Sequence, residues 1–504
     1  MAKWNTSSLE IKTRSVEKVL VPLVAQVGVL VNNGFNEIEG KTRRFLSDML
    51  PNLELAVCKF TSIGHEMGNM NHDIRDEMSD ACDVTNKACS TIVSVLNTDS
   101  DSKIDKKSLA ESARLLLSAI TRILILSDKT AVKKMVLSAD KVDRRLCELE
   151  NVSNFTEFVN AFSQFGGDMV ELAYVSGERQ NDLKNDLQRA EVCGSRAILE
   201  KSTMMLLTTC KSCLRHPDSP LALGNRNAVF RSMRNAMKIL KAVIQDNQYP
   251  DSNISHGMYL YLKEIQNGIR SLSNTQGTSK STDVLLEQIE NFAAIMDDVI
   301  SIQQIDLQLT ANIKELQQNL RNVCANEKVA RDKGEFIQVL NKIKDAGQQI
   351  VDELTKTSVQ QVNDVFTDPS YKAMLQELKK ASLSGDLQKV EEIGDTLEKE
   401  LLTIVQVSKL VKNTSDSEAC IITASKIEEN LISLLPQLID ASKMLAAHPS
   451  SKITQENLEV FIDVWDTQVD ELSTLMRNIT QTAESNESAE WLSVYIPMAS
   501  KLKS

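Results

Sequence analysis

A chain of 504 residues, 42% hydrophobic and 25% charged, holds enough material for about three domains with a full core. Its 17 Gly, 9 Pro and 4% aromatics fall far below ordinary usage, which excludes a turn-rich β architecture and leaves long helices with few loops. A formal charge of −12 repels phosphate backbones and anionic headgroups, so nucleic acid and an unassisted membrane surface are poor partners.

The first helical segment extends from Leu9 and holds the longest apolar run, Val19–Val31. Pro22 and Gln26 interrupt that run, and it is too short to span a bilayer. No apolar signal-peptide core precedes it. The following break, Asn32–Lys41, imitates a phosphate loop. Such a loop places four residues between its glycines, whereas five separate Gly34 from Gly40 and Phe35 stands where a Gly is required. A helix–loop–helix join is the reading. Next, Asn97, Asp99, Asp101 and Ile104 fit calcium-loop spacing, but Ser102 replaces the turn Gly and Ser108 the bidentate Glu. That stretch is read as a solvated acidic loop.

Leu109, Ala113, Leu116, Ile120 and Ile123 then step by 4, 3, 4 and 3, one narrow stripe of a helix. After a break at Glu148–Asn154, Cys210-Lys-Ser-Cys213 and His216 suggest a metal or redox cluster. No second cluster completes it, and it sits mid-helix beside the apolar run STMMLLT, so core is the reading. His65 and His72 lie two turns apart, about 10 Å, too far to share a metal. The nine cysteines lack a framework of spacings and are read as reduced thiols of a cytosolic protein.

KSCLRHPDSPLALGNRNAVF, from Lys211, recurs 232 residues later as KMLAAHPSSKITQENLEVF, from Lys443. In both, the residue before Pro leaves the α region and ends a helix, and a serine (Ser219 or Ser451) opens the next segment. Each join is read as a joint between bundles, structural punctuation rather than a binding site.

The longest break, Asn247–Thr282, contains a short helix at Met258–Leu272 and then a Gly/Ser/Thr linker, and marks the main domain boundary. Leu285, Ile289, Phe292, Met296 and Val299 carry the next stripe. Breaks follow at Thr367–Ser370 and Lys412–Glu418. From Cys420 the stripe runs through Ala424, Ile427, Leu431, Leu434, Leu438, Ala441 and Leu445, about 45 Å of helix at 1.5 Å per residue, with Pro436 expected to kink it. The string LISLL at Leu431–Leu435 matches a receptor-docking motif but lies on this stripe and is read as core. Leu458, Phe461, Trp465, Val469, Leu472, Met476 and Ile479 form the last stripe. Such seams bury each other in tandem antiparallel four-helix bundles crossing near ~20°, and period-2 alternation is absent. The fold class is therefore all-α. With five His, no nucleophile elbow and no paired-carboxylate cleft, the sequence points to no catalytic residue, metal or cofactor.

Four stretches, LEIKTRSVEKVLVPLVAQVGVLVN, ARLLLSAITRILILSDK, SCLRHPDSPLALGNRNAVF and MLAAHPSSKITQENLEVFIDVWDTQV, resemble the vinculin/α-catenin family in order along the chain, to about Ile479. SQFGGDMVELAYVSGERQNDLK and ILEKSTMMLLT resemble a branch of it distinct from the α-catenins proper. The resemblance implies an N-terminal double bundle sharing a long helix (7–246), a linker (247–280), two middle bundles (281–366 and 367–483) and a divergent tail (484–504). It implies that the chain stops before the five-helix bundle that carries actin binding in the family, so direct actin binding is not expected.

The resemblance also implies two partner surfaces. Helices near residues 45–128 correspond to those that bind an armadillo-repeat partner or homodimerise, although outside ARLLLSAITRILILSDK that stretch departs from the family. The family's vinculin-binding helix corresponds to the stripe Leu309, Ile313, Leu316, Leu320 and Val323. On that face the family has small residues at two positions where this chain carries Glu315 and Asn319, and an unpaired buried carboxylate costs several kcal/mol. Plain bundle core is the simpler role of any one stripe residue. The implied function is a non-enzymatic scaffold in the cytoplasm, at the cytoskeleton or at cell junctions beneath the plasma membrane. It binds proteins through helix faces, with Rho exchange factors as signalling partners in that branch. The other implied reading is a protein linking actin, cadherin and β-catenin, like α-catenin proper.

Overall fold

The computed structural model describes residues 13–21, 24, 40–97, 106–245, 257–274, 279–303, 305–325, 333–367 and 370–485. The phosphate-loop imitation up to Glu39, most of the calcium-loop imitation and the tail from 486 lie outside the described residues, as do most of Leu9–Asn32. Among the described residues there is no strand, only an isolated antiparallel bridge between Thr13 and Leu183. The long α-helices among the described residues are α1 (Gly40–Met70), α2 (Arg75–Asn97), α3 (Lys106–Glu150), α4 (Phe155–Asp182), α5 (Asp186–Arg215), α6 (Pro220–Gln245), α7 (Met258–Asn274), α8 (Ser279–Ile300), α9 (Leu307–Ala325), α10 (Lys333–Thr367), α11 (Ser370–Ser384), α12 (Leu387–Lys412), α13 (Glu418–Ala447) and α14 (Lys452–Ser485).

Several helix ends fall where the sequence reading placed no break, and at four of these interruptions a side chain answers the open backbone groups. Asn71 follows α1, its amide donating back to the Met67 carbonyl at 3.0 Å. Asn185 opens α5 by accepting from the Leu187 and Gln188 amides, and Asp306 opens α9 by accepting from the Leu309 amide at 2.6 Å. Between α11 and α12, Gly385 takes a left-handed φ of 75°, and Asp386 then caps α12 through the Lys389 amide at 3.0 Å. In each case a short polar side chain satisfies backbone groups that the helix end leaves open. Pro436, expected to kink α13, lies inside a helix that continues to Ala447.

The chain divides into two compact units, residues 1–148 with 163–189 and residues 149–162 with 190–504. In the first unit, the α3 stripe Leu109, Ala113, Leu116 and Ile120 is buried against Ala88, Cys89, Ile92 and Leu96 of α2 and Leu50 and Val57 of α1. Further along α3, Ile123 and Leu126 bury Met78, Ala81 and Cys82. Asp128 of α3 pairs with the buried Arg179 of α4. The segment before α1 is tied to the α4 end, where Asp182 accepts from both the Ser15 amide (2.8 Å) and hydroxyl (2.7 Å).

In the second unit α7, α8, α9 and α10 contact one another in a closed ring around one apolar core. Helices α11 to α14 form a second ring, and α10 extends far enough to meet α12 and α14. The segment 247–280, read as a linker, contains α7, whose Met258, Leu262 and Ile265 belong to the first ring's core. Its N-terminus is held by the end of α12. The Tyr259 amide donates to the Asn413 carbonyl at 3.0 Å, and the Met258 amide donates to the Asn413 side chain at 3.3 Å. Gly257 makes this approach possible, because a β-carbon there would run into the Lys412 carbonyl oxygen.

The α5–α6 hairpin lies against α13 and α14. Lys201 pairs with Glu471, Lys426 faces Glu191 at 3.7 Å, and the Asn225 amide donates to the Gln437 carbonyl at 2.9 Å. Gly257→Ala is expected to destabilise the second unit by about 1–3 kcal/mol through this enforced overpacking. Urea unfolding measures the cost, and faster hydrogen exchange at Met258–Tyr261 locates it.

Candidate functional site

Helix α9 carries the stripe that the resemblance assigns to a partner. Asp306 starts the helix, and steps of 4, 3, 4 and 3 then place Leu309, Ile313, Leu316, Leu320 and Val323 on one side. All five are buried, none more than 5% exposed. They share a core with Leu285, Ile289, Phe292, Met296 and Val299 of α8 and with Phe336, Leu340 and Ile343 of α10. In this state the stripe is the seam of the bundle.

Glu315 and Asn319 lie off that seam and are exposed. The buried polar group of α9 is instead Gln317, which sequence reasoning passed over. Its Nε2 donates to the Ala293 carbonyl and to Asp297 Oδ1, both at 2.9 Å. Arg321 reaches the other oxygen of Asp297 at 3.3 Å. The signal for Gln317 was its place one helical turn after Ile313, at the edge of the stripe.

Beside this contact a shallow groove of about 480 Å³ runs between α8 and α9, lined by Glu290, Ala293, Ala294, Asp297, Arg321, Cys324 and Ala325. Burial, with Glu290 nearby, pushes the Cys324 thiol up, so the groove offers no ready thiolate nucleophile. Its floor is alanine and its edges are charged.

The helices near residues 45–128 are α1, α2 and the start of α3. Their apolar residues divide between the buried clusters described above and the exposed Leu55, Ile63, Met70 and Leu115. Cys210 and Cys213 are both buried, and burial pushes the Cys210 thiol up to about 12. Of the receptor-docking string, Leu431, Leu434 and Leu435 are buried in α13. Among the described residues no group of three or more His, Cys, Asp or Glu is placed to hold a metal ion, and no helix is long and apolar enough to cross a membrane.

The profile of the vinculin family matches residues 10–491. Alpha-catulin of Homo sapiens is 34% identical over 516 residues, covering 98% of this chain and 70% of that protein. Catenin alpha of Drosophila melanogaster is 30% identical, covering 95% of this chain and 54% of that one. A solved vinculin homologue from a sponge (phylum Porifera) superposes with a TM-score of 0.63 at 15% identity, over 94% of this chain and 60% of its own, a likeness of fold.

The two faces of α9 separate by mutation. Ile313→Ala is expected to cost about 2–5 kcal/mol, whereas Glu315→Ala stays within about 0.5 kcal/mol of wild type, both read by urea unfolding. Equal effects would mean that the seam is misassigned.

Proposed function

The chain belongs to the vinculin family, and from that premise we propose that it is a non-enzymatic scaffold of the α-catulin kind, acting at the cytoskeleton and cell junctions from the cytoplasm. The observation that carries this reading is the 34% identity to alpha-catulin across 98% of the chain. The architecture supports it, because rigid helices such as the 45-residue α3, about 68 Å long at 1.5 Å per residue, suit a spacer that holds partners apart. Rho exchange factors are the signalling partners this reading names.

Partner recognition through α9 requires the α7–α10 bundle to open. Five side chains would leave the core, at roughly 1.5–3 kcal/mol each. A vinculin-like partner must offset on the order of 10 kcal/mol by differential binding to the opened state. Recognition through exposed helix faces requires no such opening, and the scaffold reading rests on those faces first.

The α-catenin-like alternative, with direct links to actin and an armadillo-repeat partner, draws on the 30% identity to Drosophila catenin alpha. Co-sedimentation with actin filaments separates the two. The purified chain is expected to stay in the supernatant at tens of micromolar filament. Saturable pelleting would overturn the indirect-link reading and move the search to the helices between Ser281 and Ile479.

A further inference from the structure

The two His-Pro joints, 232 residues apart in the chain, meet in space. The rings of His216 and His448 stack with centroids 4.1 Å apart and planes 15° off parallel. The joints also share a pattern of bonds. His216 N donates to Ser212 O and His448 N to Met444 O, and the Ser219 and Ser451 amides donate back to the His216 and His448 carbonyls. Ser219 Oγ accepts from the Ala222 amide and Ser451 Oγ from the Thr454 amide, both at 3.4 Å. The same corners share a small apolar cluster, Cys213, Ala222 and Met444 packed against Leu221, with the Ser219 hydroxyl 2.9 Å from Met444 Sδ. His216 Nε2 is buried there without a hydrogen-bond partner.

We propose that this stacked pair is a proton-sensitive clasp: a proton taken up by the His216 ring weakens the contact between the α5–α6 and α13–α14 corners, so that acidification loosens it. Two neutral imidazoles stack comfortably, whereas two imidazolium ions at this separation repel strongly. The charged groups that act on His216 are His448 and Arg215, and along the sequence Asp218 follows on the first corner and Lys452 on the second. Asp386 stands on the turn whose Gly385 abuts Pro449, and Lys443 is engaged by Glu391 of α12 at 2.9 Å. No carboxylate reaches Nε2 to stabilise its charge. Burial, then His448, then Arg215 hold the His216 imidazole below its ordinary value of 6.5.

The sign follows. The closed corner holds fewer protons than the open one, so its contribution is complete above the ordinary histidine value and is lost as pH falls toward the depressed one. The ties of Lys201 to Glu471 and of Asn225 to Gln437 lie further along the same helices, so the expected opening is confined to the corner.

The full chain has only five histidines, so their imidazole resonances are assignable by single substitution. His216 is expected to titrate below 6.5, and H448N is expected to raise its midpoint. Exchange of the amides at 212–222 and 444–454, corrected for intrinsic pH dependence, should accelerate up to about tenfold per pH unit below about pH 6.5, the limit for one proton taken up on opening. H216F should flatten that slope, and where it fails to fold, H448N, which raises the His216 midpoint, should narrow the pH range over which exchange accelerates. Titration of His216 at or above 6.5, exchange that stays level while His216 titrates, or a variant with the wild-type slope would each overturn the clasp.

Discussion

A helix whose apolar residues occupy one narrow stripe has no stable place alone in water, because its seam must be covered along its whole length. That constraint governs the rest of this molecule. Each stripe demands a partner of matching length, which produces rings of antiparallel helices rather than isolated rods. It also dictates how polar groups enter the core. Glu428 is almost fully buried on α13, and it is matched there by the Ser408 hydroxyl and by Lys412 at 2.8 Å. Gln317 is matched by Ala293 and Asp297 in the same way. At the rim of the α11–α14 ring, Tyr371 donates to Asp466 and Asp470 while Lys372 neutralises the two carboxylates. At these positions the buried polar side chain is matched by partners on the facing helix or its own.

The same constraint explains what the sequence made readable. Steps of 4 and 3 are a direct record of a seam, so the stripes from Leu109, Leu285, Cys420 and Leu458 are buried as read. The serines after the His-Pro pairs were readable too, because N-capping favours a short oxygen-bearing side chain at one fixed position and the His-Pro pair marks where that position falls. Asn71, Asn185, Asp306 and Asp386 escaped notice for the converse reason. A short polar residue on a helical pattern marks a cap and a solvated face equally well, and no Pro stood beside these four to decide.

Long-range pairing left a fainter trace. Nothing local in α5–α6 announces that its cover is α13–α14, and nothing local in GMYLYL announces that Asn413 will cap it. The pairing of hairpins was written only as a repeated phrase, HPDS and HPSS, whose contact depends on tertiary structure. On α9, the stripe assigned to a partner coincides with the residues the bundle needs for itself. Sequence alone cannot divide those two roles, since the chemistry of a seam is the same whichever helix covers it.

The 232-residue separation of the joints has a consequence for biosynthesis. At roughly 5–20 residues per second, the ribosome needs on the order of 10–50 s to deliver the α13–α14 hairpin after α5–α6 has emerged. During that interval the face of α5–α6 that α13 and α14 will cover is exposed to solvent. Until α13 and α14 arrive, that face is open to pairing with a neighbouring polypeptide. A gene that terminated before α13 would leave that face exposed permanently.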